Sequence, residues 1–208
     1  MCNEHRRAVA LGQIIDTFQE LRIPLRFPEG APNLAALDSI RITDPTAIVR
    51  VAREEQGAAE LVQRRWSWPG PTGKPVFNYR GEGREFANSA KGGRCLIVAD
   101  GFYEYTDPPE GEPAAKPKRK ARWLFTLNPA THHGEDFFAI AGLWRADPKV
   151  GEACTMLTLP PGPDVAPYHD RQVAVLPRAD WRAWIEARAP SAELLRPLPG
   201  GTFAVARA

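Results

Sequence analysis

Proline interrupts this chain throughout. Twenty-one of its 208 residues are proline and seventeen are glycine, and the apolar residues fall in short runs between them. Proline removes a backbone donor and breaks helix interiors, so a chain punctuated this often builds short strands and turns rather than long helices. The most compact run, Cys95-Leu96-Ile97-Val98-Ala99, reads as a buried strand. Ile48, Val49 and Val51 mark another, and residues 123–127, 137–144, 155–159 and 173–176 add four more. Phe203 and Val205 suggest a last one. Helical spacing occurs twice. Leu11, Ile14, Ile15, Phe18 and Leu21 predict an amphipathic helix over 7–22, ended by Pro24 and Pro28. Trp181, Trp184, Ile185 and Arg188 predict a second over 179–188.

The run from Cys95 through Tyr105 and the strand at 123–127 predict a hairpin closed by a long loop over 107–120. That loop holds the densest basic run, Lys116, Lys118, Arg119 and Lys120, which reads first as solvated and second as a nucleic-acid contact. There is no alternation of strand and helix, no glycine-rich nucleotide loop, no repeat and no second domain. The expected fold is α+β, mostly antiparallel, in one domain over 2–208.

Charge narrows the partners little: 27 Lys and Arg face 25 Asp and Glu. Cysteines stand at positions 2, 95 and 154, with neither metal-ligand spacing nor an even disulfide set, so no metal and no cofactor is expected. No apolar run reaches the roughly 18 residues of a membrane helix. The start is polar, so a cytoplasmic location, no membrane partner and a monomer are expected.

Candidate chemistry begins at Cys2. With Met1 removed, its amine (pKa near ~7.7–8.0) and its thiol (near ~8.5) both have usable reactive fractions at neutral pH. The pair can add to one aldehyde, forming an imine and then a five-membered thiazolidine. Glu104 lies among Phe102, Tyr103 and Tyr105, where partial desolvation raises a carboxyl pKa toward general acid/base use; a surface strand position is the alternative. His169, in Tyr168-His169-Asp170-Arg171, suits proton donation near neutral pH, or a turn held by Asp170. Asn78 and Arg80 can orient a carbonyl and hold a phosphate. Trp66 and Trp68 can stack on unpaired bases or plug the core.

In order along the chain stand Cys2, Trp66-Ser67-Trp68-Pro69, Asn78-Tyr79-Arg80, Ala99-Asp100-Gly101-Phe102-Tyr103-Glu104 and His169-Asp170-Arg171. This order resembles the SRAP family, the SOS-response-associated peptidases, some of which are abasic-site processing proteins. The resemblance implies a single α+β domain around an antiparallel, barrel-like sheet. It implies a partner, single-stranded DNA carrying abasic sites, and a covalent thiazolidine between Cys2 and the ring-opened sugar. Carried over by position, Cys2 is the nucleophile, Asn78 its orienting amide, Glu104 the proton shuttle and His169 the group that opens the sugar ring. Arg80 and Arg171 would hold phosphates, Thr158 falls near the site, and Trp66 and Trp68 would support splayed bases. The chain departs from the family's usual Met-Cys-Gly-Arg start: it reads Met-Cys-Asn-Glu, with Glu4 where a cation is common. Three other readings use the same residues: a thiol peptidase or autopeptidase acting through Cys2, a lyase that cleaves at the imine, and a non-catalytic single-strand binder.

Overall fold

The computed structural model describes residues 2–107 and 120–208. The chain begins with β1 (Glu4–Arg7), α1 (Leu11–Glu20), β2 (Leu25–Arg26), β3 (Leu37–Arg41), β4 (Pro45–Val51) and β5 (Ala59–Trp66). It continues through β6 (Trp68–Pro69), β7 (Pro75–Val76), β8 (Asn78–Arg80), β9 (Gly92–Ala99), β10 (Gly101–Thr106) and β11 (Ala121–Leu127). Then come β12 (Phe138–Asp147), β13 (Gly151–Leu159), β14 (Gln172–Val173), β15 (Val175–Leu176), α2 (Trp181–Ile185), α3 (Ser191–Leu194) and β16 (Phe203–Arg207).

Five of these strands close on themselves. The order β13-β12-β9-β4-β5 is antiparallel throughout, and β5 returns to β13 through a parallel pairing, Ala153 with Arg65 and Cys154 with Trp66. Alternation along each strand then divides its residues between two cores. Ala47, Val49, Leu61, Leu96, Val98, Ala139 and Leu157 lie with Ile14 and Phe18 of α1 and with Trp181 and Trp184 of α2. Helices cannot enter so narrow a barrel, so this is its outer surface. Ile48, Val62, Cys95, Ile97, Ile140, Cys154 and Met156 form the inner set. Gly142 on β12 makes this interior possible, since a Cβ there would meet Ile97 Cδ1 and the Thr155 carbonyl oxygen, each at 2.9 Å.

The second sheet has the order β16-β11-β10-β1-β3. Its apolar face contributes Ile40, Phe102, Phe125 and Phe203 to the same core as the barrel interior. Phe102 and Phe125 stack with ring centroids 4.9 Å apart. The chain changes sheet at Asp100: β9 belongs to the barrel and β10 to the second sheet. Gly101 sits at the change, where a Cβ would come within 2.7 Å of Leu124 Cδ1.

The expected α+β architecture and the barrel are both present. The hairpin forms between β10 and β11 (Phe102 with Phe125, Glu104 with Trp123). Residues 108–119 of the expected loop, with Lys116, Lys118 and Arg119, lie outside the described residues. Two helix expectations were too long. The first runs over Leu11–Glu20 rather than 7–22, and Arg7 instead ends the strand Glu4–Arg7, which pairs with β3 and β10. The second helix shortens to Trp181–Ile185 behind a 3₁₀ turn at Arg178–Asp180. Strands β1, β3 and β5 were not anticipated.

Candidate active site

Cys2 lies at the junction of three elements and is 1% exposed. Its carbonyl accepts the Asn78 Nδ2 amide at 2.7 Å. Its backbone N–H donates to the Glu104 carboxylate. Its thiol donates to the Glu4 carbonyl at 3.2 Å. Each bond comes from a different strand. Asn78 is placed by β8, which runs parallel to β13 with Asn78 opposite Met156 and Arg80 opposite Thr158. Glu104 is placed by β10, and Glu4 by β1, which is paired on both sides. The structure thus brings Asn78 and Glu104, which lie 76 and 102 positions further along the chain, to Cys2.

Burial sets the electrostatics. Glu104 is 1% exposed, and burial pushes its carboxyl up to about 7, against the hydrogen bond from the Cys2 N–H and with the charge of Asp170 adding to the rise. Such a group is half-ionised at neutral pH and both gives and takes protons. Burial, with the Glu104 charge, also holds the Cys2 thiol well above the ordinary thiol range. The sulfur is therefore protonated until a base takes its proton. Asn78 Oδ1 is buried without a hydrogen-bond partner, next to the backbone that its amide holds.

His169 stands on the loop beside this cluster. Its Nδ1 accepts the Arg171 backbone N–H at 3.0 Å, which puts the proton of the neutral ring on Nε2. Burial holds its pKa below the usual histidine value. The exposed Asp170 carboxylate, 2.8 Å from the same Nδ1, is the counter-ion when the ring is protonated. Arg171 fixes the loop. Its guanidinium pairs with the Glu82 carboxylate and donates to the Thr158 carbonyl at 2.9 Å and to Thr158 Oγ1 at 3.0 Å.

Four of the candidate DNA-contact residues are buried or already paired in this structure. Trp66 is fully buried, donates through Nε1 to the Phe77 carbonyl at 2.9 Å, and meets the His5 ring edge-on at 4.9 Å. Trp68 is 7% exposed, with the Arg145 guanidinium 4.5 Å over its ring. Neither offers a face to a base; both plug the core. Thr158 is 1% exposed and serves Arg171 rather than a nucleic acid. Arg171 is committed to Glu82 and Thr158. Arg80, by contrast, is exposed on β8, two residues from Asn78.

Sequence reasoning passed over Glu4 as an anchor, although it noted the residue. Glu4 is 2% exposed and meets Ser39, Tyr105 and Arg122. It also passed over Trp123, directly across from Glu104 on β11. Only strand pairing reveals either contact. Among the described residues no group of three or more His, Cys, Asp or Glu could hold a metal ion, and no helix is long and apolar enough to cross a membrane.

Comparison with known proteins agrees with this architecture. The family model for SOS response associated peptidase (SRAP) matches residues 1–207. Among solved structures, a protein from Bordetella bronchiseptica shares 20% identity at a TM-score of 0.68, covering 100% of this chain and 99% of its own. A phage-related protein from the same organism shares 18% at 0.67, covering 100% of this chain and 94% of its own. A protein from Bacteroides thetaiotaomicron shares 14% at 0.68, covering 99% and 91%. At these identities the likeness is one of fold. No curated protein matches.

Proposed function

The chain belongs to the SRAP family of SOS response associated peptidases, and from that premise we propose that it attaches covalently to abasic sites in single-stranded DNA through Cys2. The family places it in the response to DNA damage. The observation that carries the chemistry is the contact between Glu104 and the Cys2 nitrogen. Removal of Met1 turns that amide nitrogen into an amine beside a buried carboxyl.

The steps balance as follows. His169, in its protonated form with Asp170 as counter-ion, gives its Nε2 proton to the ring oxygen of the closed sugar while the anomeric hydroxyl passes its own proton to the Glu104 carboxylate, and the ring opens to the aldehyde. The Cys2 amine attacks the aldehyde carbon, giving a carbinolamine. Glu104 donates a proton to the leaving hydroxyl, water departs and a protonated imine forms. The Cys2 thiol then passes its proton to the Glu104 carboxylate while sulfur adds to the imine carbon, and the C=N electron pair returns to the nitrogen, which keeps its one proton. The net change is the loss of one water. Asn78, holding the Cys2 carbonyl, fixes the nitrogen and sulfur relative to Glu104, and its buried Oδ1 is an acceptor for a sugar hydroxyl. Arg80 supplies the exposed cation for a neighbouring phosphate. Such attachment favours single strands, because a duplex resists displacing the damaged nucleotide.

The same contact supports a second, self-processing reading. Glu104 faces the nitrogen of the Met1–Cys2 peptide bond, where a protonated carboxyl can protonate the leaving amine as water adds to the Met1 carbonyl. Translation in a reconstituted system lacking methionine aminopeptidase tests this: wild type should lose Met1 and Glu104→Gln should keep it.

For the main reading the test is Cys2→Ser, incubated with a uracil-containing oligonucleotide treated with a uracil glycosylase. The variant should form no heat-stable adduct, while borohydride still traps an imine, because oxygen closes a less stable ring. A heat-stable crosslink from Cys2→Ser without reductant overturns the thiazolidine.

A further inference from the structure

The most heavily bonded carboxylate in the second sheet takes no part in the chemistry above. Glu4 lies two residues after Cys2 and is 2% exposed. Its Oε1 accepts from Ser39 Oγ and from Arg122 Nη2 at 2.9 Å, and its Oε2 accepts from the Tyr105 hydroxyl and from Arg122 Nε at 3.1 Å. Arg41 Nε stands 3.7 Å away. The Arg122 guanidinium is itself seated 3.6 Å over the Tyr103 ring. These donors come from β3, β10 and β11, so one side chain ties three strands to β1. The backbone of the same residue accepts the Cys2 thiol at 3.2 Å.

A carboxylate buried at this density of donors is a position-fixing device: paired, charge-assisted bonds are strong and geometrically specific. Among the described residues Glu4 is the side chain of β1 that meets Arg122, and Cys2 is joined to β1 covalently through one intervening residue. We infer that Glu4 is a positioning residue for Cys2, holding the terminal strand so that the Cys2 nitrogen and sulfur meet Glu104 and Asn78. This rests on the reading of Cys2 as the nucleophile, but the anchor itself is testable without it.

The experiment uses the full chain and the variant Glu4→Gln, which keeps the shape and removes the charge facing Arg122 and Arg41. Two readouts are taken. The first is the single-turnover rate of adduct formation against concentration of an abasic-site oligonucleotide. The maximal rate should fall about tenfold, since misplacing a reacting group by about 1 Å costs up to roughly 10²-fold. The half-saturating concentration should stay within about twofold, because binding of the strand is not what Glu4 serves. The second readout is alkylation by iodoacetamide, mapped by peptide mass. Cys2 should label several-fold faster in Glu4→Gln, while Cys95 and Cys154, both fully buried in the barrel, stay unlabelled as controls for the fold. Arg122→Gln should reproduce both effects, and the double variant should be no worse than either single one.

Unchanged Cys2 labelling overturns the inference, as does selective labelling with an unchanged adduct rate. Simultaneous labelling of all three cysteines also overturns it, by making Glu4 a general stability residue. If wild type itself forms no adduct, the proposed function fails, while selective labelling of Cys2 still supports the anchor.

Discussion

The two faces of β10 each bury a carboxylate, and the two carboxylates are held in opposite states. On the outer face, Glu4 reaches in beside Tyr103 and Tyr105 and meets Arg122, Tyr105 and Ser39. Hydrogen bonds and the Arg122 charge hold its pKa below the ordinary value even though burial works the other way. On the inner face, Glu104 is as deeply buried, but burial outweighs the hydrogen bond from the Cys2 N–H, and its carboxyl rises to about 7. Both side chains are shielded from solvent; the balance of burial against donors differs. A buried carboxylate supplied with cationic donors is a permanent charge that fixes structure. One whose carboxyl burial raises to about 7 is a group that exchanges protons at neutral pH.

The largest effect that tests this contrast is on rate. Glu104→Gln should slow adduct formation by roughly 10²- to 10³-fold, in the range of a lost general acid–base. Its affinity for undamaged single strand should stay near wild type by fluorescence anisotropy. Equal losses of rate and affinity make Glu104 structural and end the comparison. The wild-type rate should also change across pH 7, where Glu104 titrates, and that inflection should vanish in Glu104→Gln but persist in Glu4→Gln.

Stability against pH separates the two groups next, with opposite signs. Glu104 has a folded pKa raised from 4.5 to about 7. Its contribution is fully present below pH 4.5 and is lost as pH rises through about 7, a fall of about 3 kcal/mol at 1.36 kcal/mol per unit. Denaturant unfolding of the Met1-retaining chain should show this fall, and Glu104→Gln should remove it. Glu4, whose pKa is lowered, contributes stability above pH 4.5 that is lost as pH falls through its folded value. Glu4→Ala should therefore cost about 2 kcal/mol at pH 7, since it strands a partly buried Arg122, and the deficit should shrink in acid. A deficit that is constant with pH assigns the loss to packing.

The smallest effect belongs to the surface. Arg80→Ala should weaken binding to any single strand and reduce the salt slope of the affinity by about one phosphate contact, with no change in unfolding. A loss confined to abasic strands moves Arg80 from strand binding into the reacting centre.

Much of this architecture is legible in the amino-acid order, and the reasons for the rest are physical. Residues 95–99 read as a strand because they are buried on both sides, one half of them inside the barrel and the other under the helices, so the run is continuously apolar. Glu104 is conspicuous as the lone carboxyl in an aromatic run. The strand Glu4–Arg7 is hidden, because Glu-His-Arg-Arg carries its burial in hydrogen bonds and ion pairs rather than in apolar side chains. Trp66 and Trp68 show the limit of composition: a tryptophan in a basic, turn-rich segment looks the same whether its ring faces solvent or the Phe77 carbonyl. The meeting of Asn78 with Cys2 depends on a three-residue parallel pairing between β8 and β13, which no local pattern announces.

In the proposed reaction Cys2, with its freed amine and thiol, closes on an aldehyde under the control of Glu104. Intact-protein mass spectrometry tests it most directly, before and after incubation with the glycosylase-treated uracil oligonucleotide. The starting mass should lack Met1 and should then rise by the mass of the abasic oligonucleotide less one water, stable to heat without reductant. A protein that has lost Met1 and gains no mass contradicts it.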